Sequence, residues 1–310
     1  MARWTSDDIP DQTGQTVLVT GANSGLGLRS AEAFAGAGAR VLLACRNAEK
    51  AATTLESVKA KATGAAPEVV ALDLADLDSV TACATDVAGR LDRLDVLMAN
   101  AGVMALPLRR TAQGFEMQFG TNHLGHFALT GRLLPTLLQA EAPRVVVVSS
   151  NAHRMGKIRW DDLNWERGRY SKWLAYGQTK LANLLFAAEL QRRATTAGTA
   201  LTVASAHPGY AATNLSATGP EMAGNRLMQR LTKVGDRVAG QSDVQGALPQ
   251  LYAATMPDVR PDDYFGPDGL LEQRGHPKRV GRSRAASDPT AAARLWRASE
   301  ALTGVTYDFG

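Results

Sequence analysis

Along the chain, short β-branched runs alternate with longer alanine- and leucine-rich stretches whose apolar positions recur at helical spacing. Runs at 16–20, 39–45, 68–74, 94–99, 144–150 and 201–206 predict six strands, apolar enough to be buried on both faces of a parallel sheet. Helices are predicted over 28–38, 49–63, 115–139, 176–193 and 242–255. A short strand and turn follow at 263–269. The last helix has Asp288 as N-cap, Pro289 at its first position and Gly304 as its stop. Strands alternating with helices over 310 residues predict a single α/β domain: a doubly wound parallel sheet with helices on both faces. Within it, 214–241 is expected to form a substrate lid and 267–310 a C-terminal extension.

The turns carry the chemistry. Thr16-Val-Leu-Val-Thr20 runs into Gly21-Ala-Asn23-Ser24-Gly25-Leu26-Gly27, and a helix follows. Strand, glycine turn, helix and strand form a Rossmann-type unit that can cradle a dinucleotide. One glycine allows the tight turn, another lets backbone approach a pyrophosphate, and the helix N-terminus offers unpaired N–H groups. At the second strand's tip, Ala44-Cys45-Arg46, no acid stands to bind ribose hydroxyls, and the guanidinium suits a phosphate. NADP(H) is therefore expected over NAD(H), the bland alternative being a solvated Arg46. Asp73, at the third tip, is placed either to bond an adenine amino group or to cap the next helix. The fourth strand ends in Asn100-Ala101-Gly102, small enough for backbone to pass close to a cofactor. Asn122 lies inside a predicted helix, where its side chain competes for backbone bonds and marks a functional break.

Ser149 and Ser150 tip the fifth strand, and Tyr176 and Lys180 follow at i, i+4 on one helix face. An ordinary tyrosine, of pKa ~10, exchanges protons poorly near neutrality. A neighbouring ammonium is expected to lower that value and make Tyr176 a general acid/base. The stretch 151–174 holds Trp160, Trp165, Tyr170 and Trp173. They form either an aromatic wall for an apolar substrate or the packing that anchors a surface excursion. Past the sixth strand, His207-Pro208-Gly209 makes a turn near the expected nicotinamide end.

Charge narrows the partners to small molecules. Lys and Arg number 34 against 30 acids, a weak argument for nucleic acid. Residues 274–284 carry five basic side chains and no acid, and are expected to be a solvated loop. Cys45 and Cys83 have no metal-type spacing and a chain of this size needs no disulfide, which suits a reduced, cytoplasmic setting. No metal site is expected. The polar start and the lack of an apolar run of ~18 residues predict no stable membrane anchor.

The ordered set Thr20-Gly21-x-x-x-Gly25-x-Gly27, Asn100-Ala101-Gly102, Asn122, Ser149-Ser150, Tyr176-x-x-x-Lys180 and Pro208-Gly209 resembles the short-chain dehydrogenase/reductase family. Ala44-Cys45-Arg46-Asn47, Asn122-His-Leu-Gly-His-Phe127 and the tail from Leu295 to Gly304 are similar to its retinol-dehydrogenase-like branch, which includes light-dependent protochlorophyllide reductases. The resemblance implies that Tyr176 gives the proton in carbonyl reduction and takes it in alcohol oxidation. It implies that Lys180 holds the nicotinamide ribose and lowers the tyrosine pKa, that Ser150 bonds the substrate oxygen, and that Asn122 holds a water leading from Lys180 to solvent. Gly21, Asn23, Ser24, Gly25 and Gly27 would line the pyrophosphate turn, with Leu26 behind the cofactor. Arg46 would take the 2′-phosphate, Asp73 and Leu74 the adenine, Asn100 the adenosine side, and Thr213 the carboxamide or phosphate region.

The activity so implied is hydride transfer between NADP(H) and a carbonyl or alcohol of a small to medium apolar substrate, at the pro-S face of the nicotinamide. A non-catalytic NADP-binding sensor or scaffold, and an NAD(H)-using member of the family, are the alternatives. Members often pair through the helices bearing Asn122 and Tyr176, which implies a homo-oligomer, although the C-terminal segment can obstruct some interfaces. Membrane-bound vertebrate members carry an N-terminal anchor not found here, which counts against a retinoid or other membrane-borne substrate.

Overall fold

The computed structural model describes residues 3–210 and 241–310; Thr213 and, apart from Gln241, the expected lid lie outside them. The strands are β1 (Thr16–Thr20), β2 (Arg40–Cys45), β3 (Glu68–Ala71), β4 (Val96–Ala99), β5 (Arg144–Val148), β6 (Thr202–Ala206), β7 (Tyr264–Pro267) and β8 (Pro277–Arg279). They form one sheet in the order β3-β2-β1-β4-β5-β6-β7-β8, every neighbouring pair parallel except β7 with β8. The chain winds outward from β1 through β2 to β3, then returns to place β4 on the other side of β1. The tips of β1 and β4 therefore flank the crevice where such sheets bind ligands.

Helices fill both faces: α1 (Gly25–Gly36), α2 (Ala48–Lys59), α3 (Leu77–Arg90), α4 (Met117–Phe119), α5 (Gly125–Leu137), α6 (Lys172–Thr196), α7 (Asp243–Thr255) and α8 (Pro289–Thr303). Alternate strand residues serve the two faces. Val17, Val19, Val41, Leu43 and Val146 pack with α1, α2 and α7, while Leu18, Leu42, Leu97, Val145 and Val147 pack with α3, α5 and α6. Burial of each such side chain contributes about 1.5–3 kcal/mol, which is why the strands read as unbroken apolar runs. Among the described residues, no helix is long and apolar enough to cross a membrane.

Two expectations change. The helix read over 115–139, with a break marked at Asn122, begins only at Met117 and passes through a π-helical turn, Gly120–Leu124, between α4 and α5. The basic stretch is only partly loop, since Pro277–Arg279 forms the edge strand β8 with Lys278 and Arg279 exposed. Two of its cations pair with acids, Arg279 reaching Asp263 at 2.8 Å and Arg282 reaching Asp262 at 2.7 Å.

The C-terminal segment lies across α5 and α6. Asp288 caps α8 by accepting from the Thr290 and Ala291 amides, and Gly304 ends it in the left-handed region, φ 68°. Trp296 meets Phe127, Phe186 and Tyr307, and the Tyr307 hydroxyl donates to the Phe127 carbonyl at 2.6 Å. Gly131 makes this approach possible, because a Cβ there would lie 2.6 Å from Tyr307 and 2.7 Å from Val305. Gly131→Ala is expected to cost about 1 kcal/mol net, overpacking outweighing the gain in helix propensity. Chemical denaturation reads it, and an unchanged midpoint would mean that the tail is not seated on α5.

Candidate active site

The tip of β5 and the first half of α6 form a seam that gathers the expected catalytic side chains. The Val148 carbonyl accepts from Lys180 Nζ and from Asn183 Nδ2, each at 3.1 Å, while Ser149 Oγ donates to the Lys180 carbonyl at 2.8 Å. Ser150 Oγ accepts from the Ala152 amide, capping the 3-10 turn Asn151–Met155, and it stands beside the Tyr176 side chain, where it favours the phenolate. α6 starts at Lys172, so Tyr176 sits a full turn inside it rather than opening it. Tyr176 and Lys180 are consequently only 6% and 3% exposed, with Nζ 5.7 Å from the centre of the phenol ring.

That burial reverses the expected pKa shift of the tyrosine. Tyr176 is pushed up to about 12, because the phenolate's loss of water outweighs the opposing influence of the nearby Ser150 hydroxyl. Desolvation also pulls Lys180 down, to about 8. The ammonium is directed at the Val148 carbonyl and does not offset the burial of the phenol.

Asn122 is fully buried in the π-helical turn, a feature that often marks function. Its Oδ1 accepts from the Val103 amide at 2.7 Å, and its Nδ2 donates to the Val103 carbonyl at 2.9 Å and to Thr179 Oγ1 at 3.1 Å. These bonds tie the loop after β4 to α6. They use both hydrogens of Nδ2 and one lone pair of Oδ1.

Across the crevice, Gly21 adopts φ 67°, and a Cβ on Gly27 would come within 2.3 Å of the Gly21 carbonyl and 2.6 Å of Asn100 Nδ2. Only hydrogen fits there, which leaves a bare backbone cradle over the start of α1. Ser24, the N-cap, makes no side-chain cap bond among the described residues, so the first-turn N–H groups of α1 face the cradle without that partner. Both features fit a pyrophosphate. Thr20 Oγ1 accepts from the Asn100 and Ala101 amides at 3.0 and 2.9 Å, and Asn100 Nδ2 donates to the Thr20 carbonyl at 2.8 Å. Cys45 is buried beside the loop, and burial pushes its thiol up to about 11 against the opposing influence of the Ala22 and Asn23 amides. The Arg46 side chain is 71% exposed and 3.8 Å from Asp73, a loose pairing. Asp73 accepts from the Ala75 amide at 2.9 Å and closes a turn there, whereas Asp76 caps α3. Leu74 is buried beside them, and the Pro208–Gly209 turn is held by the Gly209 amide donating to His207 Nδ1 at 3.2 Å.

Residues 15–223 match the model of the short chain dehydrogenase family. The chain belongs to that family. It falls in the retinol-dehydrogenase-like branch of the short-chain dehydrogenases. Retinol dehydrogenase 14 of Mus musculus is 41% identical over 304 residues, spanning 94% of this chain and 86% of that protein. Retinol dehydrogenase 13 of Homo sapiens is 38% identical over 295 residues, spanning 94% and 85%. Among solved structures, an uncharacterized protein from Mycobacterium Paratuberculosis has a TM-score of 0.81 at 43% identity, over 99% of this chain and 100% of that one. A short chain dehydrogenase from Escherichia coli CFT073 complexed with NADPH has a TM-score of 0.61 at 25% identity, over 81% and 94%.

In this short-chain dehydrogenase the aromatic stretch divides between its two readings. Trp165 is buried edge-on against Tyr170, whose hydroxyl bonds Glu116 and the Leu106 carbonyl, so this pair anchors the excursion. Trp160 packs under Arg294, with 4.3 Å from guanidinium to ring. Trp173 differs: it is 48% exposed and stands edge-on 6.5 Å from the Tyr176 ring, on the open side of the seam. Three supporting residues were not visible in the sequence. His153 donates from Nδ1 to the Ser150 carbonyl at 2.7 Å and accepts at Nε2 from the Ser283 amide, so a buried ring holds the serine from behind. Cys45 looked like a strand residue, and His126 showed only its helical spacing from Asn122.

Lys180 is expected to destabilise the fold at neutral pH. Its folded pKa, about 8, lies below the ordinary lysine value of 10.5, so the penalty is complete below pH 8 and fades as pH rises to 10.5. Lys180→Met should therefore stabilise the chain by on the order of 3 kcal/mol at pH 7, with the advantage vanishing above pH ~10.5. Denaturation midpoints across that range are the measurement, and a pH-independent difference would contradict it.

Proposed function

We propose that the chain is an NADP(H)-dependent dehydrogenase/reductase that interconverts an apolar aldehyde or ketone with its alcohol, Tyr176 being the acid/base. One observation carries this reading: Ser150 stands beside Tyr176, close enough to favour its phenolate, at the same end of the sheet as a bare glycine cradle. Bound NADP(H) supplies or accepts the hydride; the chain supplies binding, orientation and the proton. Backbone from Gly21 to Gly27 and the start of α1 hold the pyrophosphate. Arg46, loosely paired, turns onto the 2′-phosphate, and the acid-free tip of β2 does not repel it. Asp73 and Leu74 border the adenine, Asn100 to Gly102 the adenosine side, and Pro208 and Gly209 the nicotinamide end. Lys180 holds the nicotinamide ribose.

Ser150 orients the substrate oxygen, and Tyr176 delivers its proton as hydride reaches carbon. A phenol held near 12 is fully protonated at neutral pH, which is the form that reduction requires. An apolar substrate is supported by the exposed Trp173 beside Tyr176 and by the relatives named retinol dehydrogenases. The test follows NADPH absorbance with a panel of apolar aldehydes and ketones, retinal among them. Tyr176→Phe should lower kcat/KM by about 10²–10⁴-fold without weakening NADPH binding. Undiminished turnover by this variant would sink the mechanism. Arg46→Ala should raise the Kd of NADPH about tenfold and leave that of NADH unchanged, which separates NADP(H) from NAD(H) use.

A further inference from the structure

His126 lies one turn after Asn122, at the start of α5, and is 2% exposed. Its Nδ1 is 3.0 Å from the Asn122 main-chain oxygen and its Nε2 is 2.9 Å from Thr20 Oγ1. A carbonyl can only accept, so Nδ1 carries the hydrogen. In a neutral ring Nε2 then accepts, and the Thr20 hydroxyl donates to it. With its one hydrogen so placed, the Thr20 oxygen has its lone pairs turned to the amides of Asn100 and Ala101, which it receives at 3.0 and 2.9 Å. Every hydrogen-bonding group along this line is satisfied in one arrangement. The competing acceptor for the Thr20 hydroxyl, the Met98 carbonyl, is farther off at 3.3 Å.

Among the described residues, the groups that bear electrostatically on the ring are Lys180 from α6 and His123 on the same helical run. Burial and the Lys180 charge hold His126 down at about 4, which keeps the ring neutral in its bridging form. No other described side chain bonds both the Asn122 main chain and the β1 tip.

We propose that His126 is a positioning residue that couples the two halves of the site. Its Nδ1–H fixes the main chain of Asn122, whose side chain bonds Thr179 next to Lys180, and its Nε2, through Thr20, fixes the Asn100 and Ala101 amides on the cofactor side. The inference rests on the functional reading above, and goes beyond it by giving one ring two separable duties.

Isosteres separate them. An asparagine places its Nδ2 where Nδ1 stands and does not reach Thr20, whereas a glutamine reaches Thr20 with an acceptor and lacks the donor to Asn122. His126→Asn is expected to weaken NADPH binding about fivefold with little change in kcat. His126→Gln is expected to lower kcat about fivefold with little change in NADPH binding. NADPH fluorescence titration and steady-state reduction of an aldehyde accepted by the unmodified chain give the two parameters, and thermal melts establish that both variants fold. If the two parameters move together in both variants, or move in neither, the inference is overturned while the functional reading stands. If the unmodified chain binds neither NADPH nor NADH, both fall. Should neither variant fold, ¹⁵N shifts of labelled histidine in the unmodified chain decide: the Nδ1-protonated tautomer is expected, and an Nε2-protonated ring overturns the coupling.

Discussion

The geometry of the site depends on one carbonyl oxygen, that of Val148, which accepts from both Lys180 and Asn183. β5 lies between β4 and β6, so its tip is held by ladders on both sides and cannot shift to suit the helix. α6 must therefore meet the strand in a single register, which Ser149 reinforces from the other direction by donating to Lys180. That register brings Tyr176 onto Ser150. A half-turn slip would separate the phenol from the serine and leave the Lys180 ammonium buried without a partner, a loss of several kcal/mol.

The same seam sets the charge states. Both Tyr176 and Lys180 are moved toward their neutral forms, the phenol to about 12 and the amine to about 8, since burial penalises whichever form is charged. The buried histidines follow the same rule. His123 and His207 are held near 3 and His126 near 4. His126 and His207 serve as neutral bridges with one donor and one acceptor each, whereas His123 uses only Nε2, toward Ser299. Such rings transmit orientation without bringing a further positive charge beside Lys180.

Support for the site comes from far along the chain. Ser283 reaches His153 behind Ser150, and Tyr307 reaches Phe127 on α5. Arg193 lies against the Trp296 ring at 4.5 Å, so the faces of α5 and α6 that carry Phe127, Phe186 and Arg193 are covered by the chain's own last segment. The C-terminal extension is thus part of the scaffold that holds α6.

The sequence by itself determined the strands, the glycine turn, the capped last helix, the family and the Tyr176–Lys180 spacing, because each is a short-range pattern: side-chain alternation, i, i+4 geometry, or glycine where backbone must crowd. Even the break at Asn122 was legible, as a polar side chain placed where a helix disfavours it. The tertiary structure decided the rest. It turned the Tyr176 shift upward, engaged the Asn122 side chain with Val103 and Thr179, made β8 from a basic run, and sorted Trp173 from Trp160 and Trp165. The reason is the same in each case. A sequence states what a group can bond, whereas its protonation and its partners depend on how much water it keeps, and that is set by residues brought next to it from elsewhere in the chain.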